Sequence, residues 1–126
     1  MGFVTRLQHT SVPMPADGAG RARDFYGDAL AMTEKTPPST LSNVVWFEAG
    51  PDGQEVHCFV DPDFETIGNQ QHLCLQVNDI EALRAHLAQK GVPIEETIAI
   101  TNRPRFFVRD PFENLIELTQ ITGDYD

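Results

Sequence analysis

Apolar and polar residues alternate along much of this chain, and the alternation comes in two similar blocks. Residues 4–12 read as a strand, broken afterwards by Pro13, Pro15 and Gly18. Residues 17–32 read as a helix, because Ala22, Phe25, Tyr26, Ala29 and Leu30 recur at three- and four-residue spacing on one face. Residues 33–40, with Pro37 and Pro38, read as a short strand or a loop. Strands follow at 44–49 and 54–60, flanking the turn Pro51-Asp52-Gly53. After a polar stretch at 61–70 the order starts again with a strand at 71–77. The second helix is capped by Asn78, has Glu81 at the capping-box position and carries the apolar stripe Ile80, Leu83 and Leu87. Gly91 and Pro93 stop it. Strands at 94–100, 105–109 and 115–121 complete the chain. The order is β-α-β-β-β twice, an α+β protein in one domain over 1–126, with modules at about 1–62 and 70–126.

Strand side chains alternate between the faces of a sheet. Leu73, Leu75 and Val77 oppose His72, Cys74 and Gln76; Ile116 and Leu118 oppose Leu115, Glu117 and Thr119; Val56, Cys58 and Val60 oppose Glu55, His57 and Phe59. The apolar faces are expected to carry the helices. The opposite faces hold the polar groups, so the expected shape is an open, cup-shaped sheet with helices outside.

The polar faces also hold a metal-ligand set: His9, His57, His72 and Glu117. His57 follows His9 by 48 residues and Glu117 follows His72 by 45, so each block supplies two candidates at a similar distance. A lone strand histidine is more often solvated or hydrogen-bonded than a ligand. Three on strands with one facing, joined by a carboxylate, shift the balance toward one divalent transition metal: zinc, nickel, iron, manganese or cobalt. His86, on the second helix, reads as a surface residue.

Composition narrows the classes further. The chain has 126 residues and a net charge of −10, from 19 acidic and 9 basic residues. That argues against a nucleic-acid partner and would favour a cationic ligand. No stretch is apolar enough to span a bilayer, and no signal-peptide run is evident, which reads as a cytoplasmic protein without membrane contact. Cys58 and Cys74 read as two buried, reduced thiols.

The segments "RLQHTSV", "RARDFYGDALAM", "EVHCFVDP", "QHLCLQVNDIEALRAHLAQKGVPIEE" and "RFFVRDPFENLIEL" resemble the vicinal oxygen chelate superfamily of glyoxalases, bleomycin-resistance proteins and extradiol dioxygenases. The resemblance implies two βαβββ modules around an open cup, a homodimer, and His9, His72 and Glu117 at three recurrent metal positions. It implies a fourth ligand at His57, and a catalytic proton-shuttling role for Glu117 beside its role as ligand. Ala31 and Glu113 stand where that family commonly has glycine, and Asn114 is a residue that tolerates a left-handed backbone.

The activity implied is that of a metal-dependent lyase or isomerase of the glyoxalase type, chelating adjacent oxygens of a small substrate. The alternatives are a drug or metabolite binder of the bleomycin-resistance type and an iron-dependent ring-cleaving dioxygenase. Arg103, Arg105 and Arg109 place three of the nine basic residues within seven positions, suited to an anionic substrate tail. Arg105, Phe107 and Arg109 share a face, taken as the cup face because Phe106 and Val108 make the better core pair. With Trp46 they form the expected substrate-binding group.

Overall fold

The computed structural model describes residues 2–125. Its elements are β1 (His9–Met14), α1 (Ala19–Ala22) continuing as a π-helical stretch (Arg23–Ala29), β2 (Glu34–Lys35), β3 (Val44–Glu48), β4 (Glu55–Val60), β5 (His72–Gln76), α2 (Ile80–Gln89), β6 (Arg105–Arg109) and β7 (Leu115–Thr119). They form two mixed sheets, ordered β1-β4-β3-β2 and β5-β7-β6. The first strand of each block pairs in parallel with the last, and the strand before that pairs with the last antiparallel. The duplication read in the sequence is therefore a duplication of strand order.

One predicted strand does not form. Residues 94–100 make only the isolated bridges Glu95–Phe107 and Ile100–Arg103. Glu95 sits against β6 as β2 sits against β3, so the fourth strand of the second block is reduced to a single rung. Its alternation has no sheet face to bury against, and Ile98 is exposed. The first strand starts at His9 rather than residue 4, with Phe3, Val4 and Leu7 exposed before it, and runs through Pro13 to Met14. A proline is tolerated there because β1 is an edge strand.

The core faces follow the predicted alternation. Val12, Met14, Val45, Phe47, Val56 and Cys58 of the first sheet are buried, as are Phe106, Val108, Ile116 and Leu118 of the second. The first helix covers this core with Ala22, Phe25, Tyr26 and Ala29. Its widened turns shift the last buried side chains around the axis, and Leu30 N–H reaches back to Phe25 O. A side chain at Gly18 would meet the Phe112 ring and Pro15 O at 3.0 Å, so the helix can start this close to the second block only on glycine.

The second helix is capped by Asp79, not Asn78: its carboxylate accepts from Ala82 N–H at 3.0 Å. Glu81 is then one position short of a capping box. At the other end Val92 N–H bonds Leu87 O and Gly91 N–H bonds Ala88 O, a Schellman ending that needs the positive φ of Gly91 (72°).

Asp110 joins the two blocks. Its buried carboxylate accepts from Tyr26 Oη at 2.6 Å, from Phe112 and Asn114 N–H, and from Asn114 Nδ2. Asn114 Nδ2 also donates to Pro13 O on β1. Asn114 is thus a bridge between blocks rather than the left-handed residue of the turn. The left-handed residue is Glu113 itself (φ 70°), and Ala31 is another (φ 55°). No helix among the described residues is long and apolar enough to cross a membrane.

Candidate metal centre

Strand register explains the ligand spacing. His9 pairs with Glu55 across β1 and β4, and His57 lies two residues on. His72 pairs with Leu115 across β5 and β7, and Glu117 lies two residues on. An offset of two keeps both members of each pair on one face. The same registers set Trp46 opposite His57 and Phe107 opposite Glu117.

In the second block His72 Nε2 faces Glu117 Oε1 at 3.0 Å. His72 Nδ1 lies 2.9 Å from Gln70 O, an acceptor only, so Nδ1 carries the proton. The Nε2 lone pair is then aimed at a carboxylate, an arrangement that needs a proton or a cation between the two atoms. A backbone carbonyl fixing the far nitrogen is also the usual support of a metal-bound imidazole. Glu117 Oε2 accepts from Thr119 Oγ1 at 2.7 Å and lies 3.4 Å from Arg105 Nη1. Burial pushes the Glu117 carboxyl up, but Thr119, Arg105 and His72 outweigh it and hold it below its ordinary value.

In the first block the His57 ring is sandwiched between Trp46 at 3.8 Å and His9 at 4.0 Å. Trp46 thus lies on the cup face, stacked on a candidate ligand. His57 Nε2 donates to Glu55 Oε1 at 2.9 Å, and Lys35 pairs with the other Glu55 oxygen. Lys35 first, and then His57, hold the buried Glu55 carboxyl down at about 2. His9 Nδ1 is hydrogen-bonded to Gln8 Oε1. His9 and His57 therefore each have one nitrogen tied to an oxygen and the other available as a donor atom, whereas in His72 the available nitrogen, Nε2, faces Glu117. That donor chemistry fits a transition metal.

Among the described residues, no three His, Cys, Asp or Glu side chains come together closely enough to hold a metal. The four candidates form two pairs on two sheets. A cleft of about 1030 Å³ lies between the blocks and is lined by His9, Thr10, Glu55, Cys74, Leu83 and His86, among others. It touches His9 but not His57, His72 or Glu117.

The comparisons agree with this architecture. The family model described as the glyoxalase/bleomycin resistance protein/dioxygenase superfamily matches residues 6–118. The chain belongs to this superfamily. Among solved structures, a glyoxalase family protein from Bacillus anthracis is 28% identical with a TM-score of 0.88, covering 96% of this chain and 98% of that one. A glyoxalase/dioxygenase from Nostoc punctiforme is 18% identical with a TM-score of 0.74, covering 94% and 92%. A lactoylglutathione lyase from Agrobacterium tumefaciens is 17% identical with a TM-score of 0.71, covering 94% and 96%. Among curated proteins no significant match was found.

Within this superfamily fold, the arginine group divides. Arg105 reaches the cup face and touches Glu117. Arg109 donates to Glu113 O in the β6–β7 turn. Arg103 donates to Asn102 O and Gly123 O and stacks over Tyr125, 4.0 Å from its centroid. Phe107 stands edge-on to His72 at 4.9 Å. Cys58 is buried, and desolvation followed by Asp110 pushes its thiol up to about 12, whereas Cys74 is exposed, contrary to the expectation of two buried thiols. Both are free. His86 is only part-exposed, 3.4 Å from Asp28 O. Sequence reasoning missed Lys35 and Thr119 as partners of the candidate ligands, and placed Glu55 on the face of His57 without giving it a role. Glu55 was legible, being two residues before His57 on the same face; Lys35 was not, because β2 has only two residues.

Proposed function

We propose that the chain is a metal-dependent lyase or isomerase of the glyoxalase type, with Glu117, His72 and His9 as ligands of one divalent transition ion and His57 as a fourth. The observation that carries this reading is the pairing of His72 Nε2 with Glu117 Oε1 at 3.0 Å, while His72 Nδ1 is committed to Gln70 O. A divalent ion held by these residues would supply Lewis-acid stabilisation of negative charge developing on a substrate with adjacent oxygens. Thr119 holds one Glu117 oxygen while the other faces His72, so the carboxylate can take or return a proton at Oε1 without losing its orientation. Trp46 and Phe107 flank the two pairs as apolar walls.

The two pairs lie apart in one chain, and β1 and β5 each leave one sheet edge unpaired. A homodimer that joins the first-block pair of one protomer to the second-block pair of its partner completes a four-ligand site and covers those edges. The deciding experiment is elemental analysis of protein purified without chelators, followed by assays on lactoylglutathione and on small α-hydroxycarbonyl compounds. About one transition ion per chain with turnover supports the proposal. A folded protein that takes up no metal refutes it.

A further inference from the structure

We propose that this site takes an anionic chelator, a substrate with a full negative charge beside its chelating oxygens, and that Arg105 is the residue that reads that charge. This deepens the metal reading of His72 and Glu117 and rests on it.

Arg105 is held firmly in place by its neighbours. Its side chain is only 14% exposed, although it lies on the cup face of β6. Nε and Nη2 both donate to Ile98 O, at 3.2 and 2.8 Å, which fixes the guanidinium plane. The ring of Phe107 lies 5.8 Å from its carbon. Nη1 is left pointing at Glu117 Oε2, at 3.4 Å, longer than a good charge-assisted hydrogen bond. Among the described residues Glu117 is the one carboxylate within ion-pair distance of it. Glu95 shares the face across β6 but is exposed and forms no ion pair with it.

Glu117 and Arg105 cancel in the protein as it stands. An ion held by His72 and Glu117 would add two positive charges, while Glu117 keeps Oε1 toward His72 and Oε2 toward Arg105. The pocket would then carry two net positive charges, and the part-buried guanidinium would share its one carboxylate partner with the ion. A desolvated charge left under-compensated is costly, and a substrate anion at Nη1 relieves that cost. In the first block Lys35 and Glu55 neutralise each other, so that side does not reverse the sign. The other two arginines of the cluster are committed elsewhere: Arg103 to backbone carbonyls and Tyr125, Arg109 to Glu113 O. The net charge of −10 would favour cations at long range, but the group closest to the bound ligand is a fixed cation.

The test uses zinc-loaded full-length protein and two isosteric probes, lactate and lactamide, which offer the same hydroxyl beside a carbonyl and differ in charge. Affinities are read by NMR titration for the wild type, Arg105→Gln, Arg105→Lys and Arg103→Gln. Arg105→Gln is expected to weaken lactate about tenfold, the usual effect of deleting one charged partner, and to leave lactamide within about twofold. Arg105→Lys keeps most of the lactate affinity, and Arg103→Gln leaves both probes unchanged. Equal weakening of both probes by Arg105→Gln, or no weakening of lactate, overturns this inference alone. A folded wild type that takes up no zinc overturns the metal reading and this inference with it.

Discussion

The imidazole of His72 and the carboxylate of Glu117 face each other across two parallel strands, Nε2 to Oε1 at 3.0 Å. His9 and His57 occupy the corresponding positions in the first block, yet there the rings stack and His57 Nε2 turns to Glu55. One half-site is therefore a ready donor–acceptor pair and the other is two imidazoles braced by Trp46, Glu55 and Lys35. If the halves join across a dimer, each protomer contributes a different half to each site. Mixing His9→Ala with Glu117→Gln, each unable to bind metal alone, is then expected to restore about a quarter of the wild-type metal capacity. Random exchange gives half heterodimers, and each has one intact site of two. Metal content after co-refolding measures this, and no recovery means that both pairs serve one chain.

Acid should weaken the apoprotein through Glu55. Its folded pKa of about 2 lies below the ordinary 4.5, set first by Lys35 and then by His57. A depressed carboxylate contributes stability that is fully present above about pH 4.5 and is lost as pH falls toward 2. Lys35→Met removes the larger cause, so its acid-side loss should be shallower than that of the wild type. Urea midpoints at several pH values between 2 and 6 report the difference. Parallel curves would mean that the Lys35–Glu55 pair is not what holds the carboxyl down.

Four described non-glycine residues have positive φ: Ala31, Asn43, Asn102 and Glu113; asparagine tolerates it, but alanine and glutamate do not suit it. Ala31 and Glu113 have φ of 55° and 70°, and both are exposed, so glycine there relieves strain without removing packing. Ala31→Gly and Glu113→Gly should each stabilise by up to about 1 kcal/mol, the left-handed cost less the extra chain entropy of glycine. Thermal melting measures it, and a loss of stability in both variants would contradict the assignment.

The two thiols should separate cleanly. Cys58 is buried with its thiol pushed up to about 12, and Cys74 is exposed beside Thr119. A thiol-reactive probe should label one cysteine per native chain, Cys74, and both after denaturation. Burial, more than the nearby Glu117, raises the Cys74 thiol as well, so labelling should be slow at neutral pH and faster as pH rises. Peptide mapping that finds Cys58 labelled in native protein would show that the first sheet opens readily.

Much of this architecture was legible because period-two alternation assigns faces without knowledge of the partner strand. His57, His72, Glu117 and Arg105 fall on the faces expected, opposite Val56, Leu73, Leu118 and Phe106. What failed were features set by tertiary context. The alternation at 94–100 predicts a strand, but only Glu95 and Ile100 find rungs. The cap moved from Asn78 to Asp79 because both can cap and one-residue boundaries are not resolved by pattern. Which arginine would reach the cup was equally hidden. Arg105, Arg109 and the nearby Arg103 look alike in sequence, and the carbonyls of Ile98, Glu113 and Gly123 sort them.

Adjacent residues on β7 should fail in opposite ways. Glu117 lies on the cup face among His72, Thr119 and Arg105, whereas Leu118 is 1% exposed in the core. Leu118→Ala should cost roughly 2–5 kcal/mol, as truncating a buried leucine does, and leave the donor atoms in place. Glu117→Gln keeps the side-chain shape and an oxygen for Thr119 Oγ1. It removes the counter-charge of Arg105, which retains Ile98 O. Its loss of apo stability should therefore be smaller than that of Leu118→Ala, while its metal affinity should collapse. Melting curves of both variants, with and without zinc, test this: zinc should raise the melting temperature of Leu118→Ala and leave that of Glu117→Gln unmoved. If Glu117→Gln unfolds the apoprotein as badly as Leu118→Ala, Glu117 is a structural member of the Arg105 network and not a ligand.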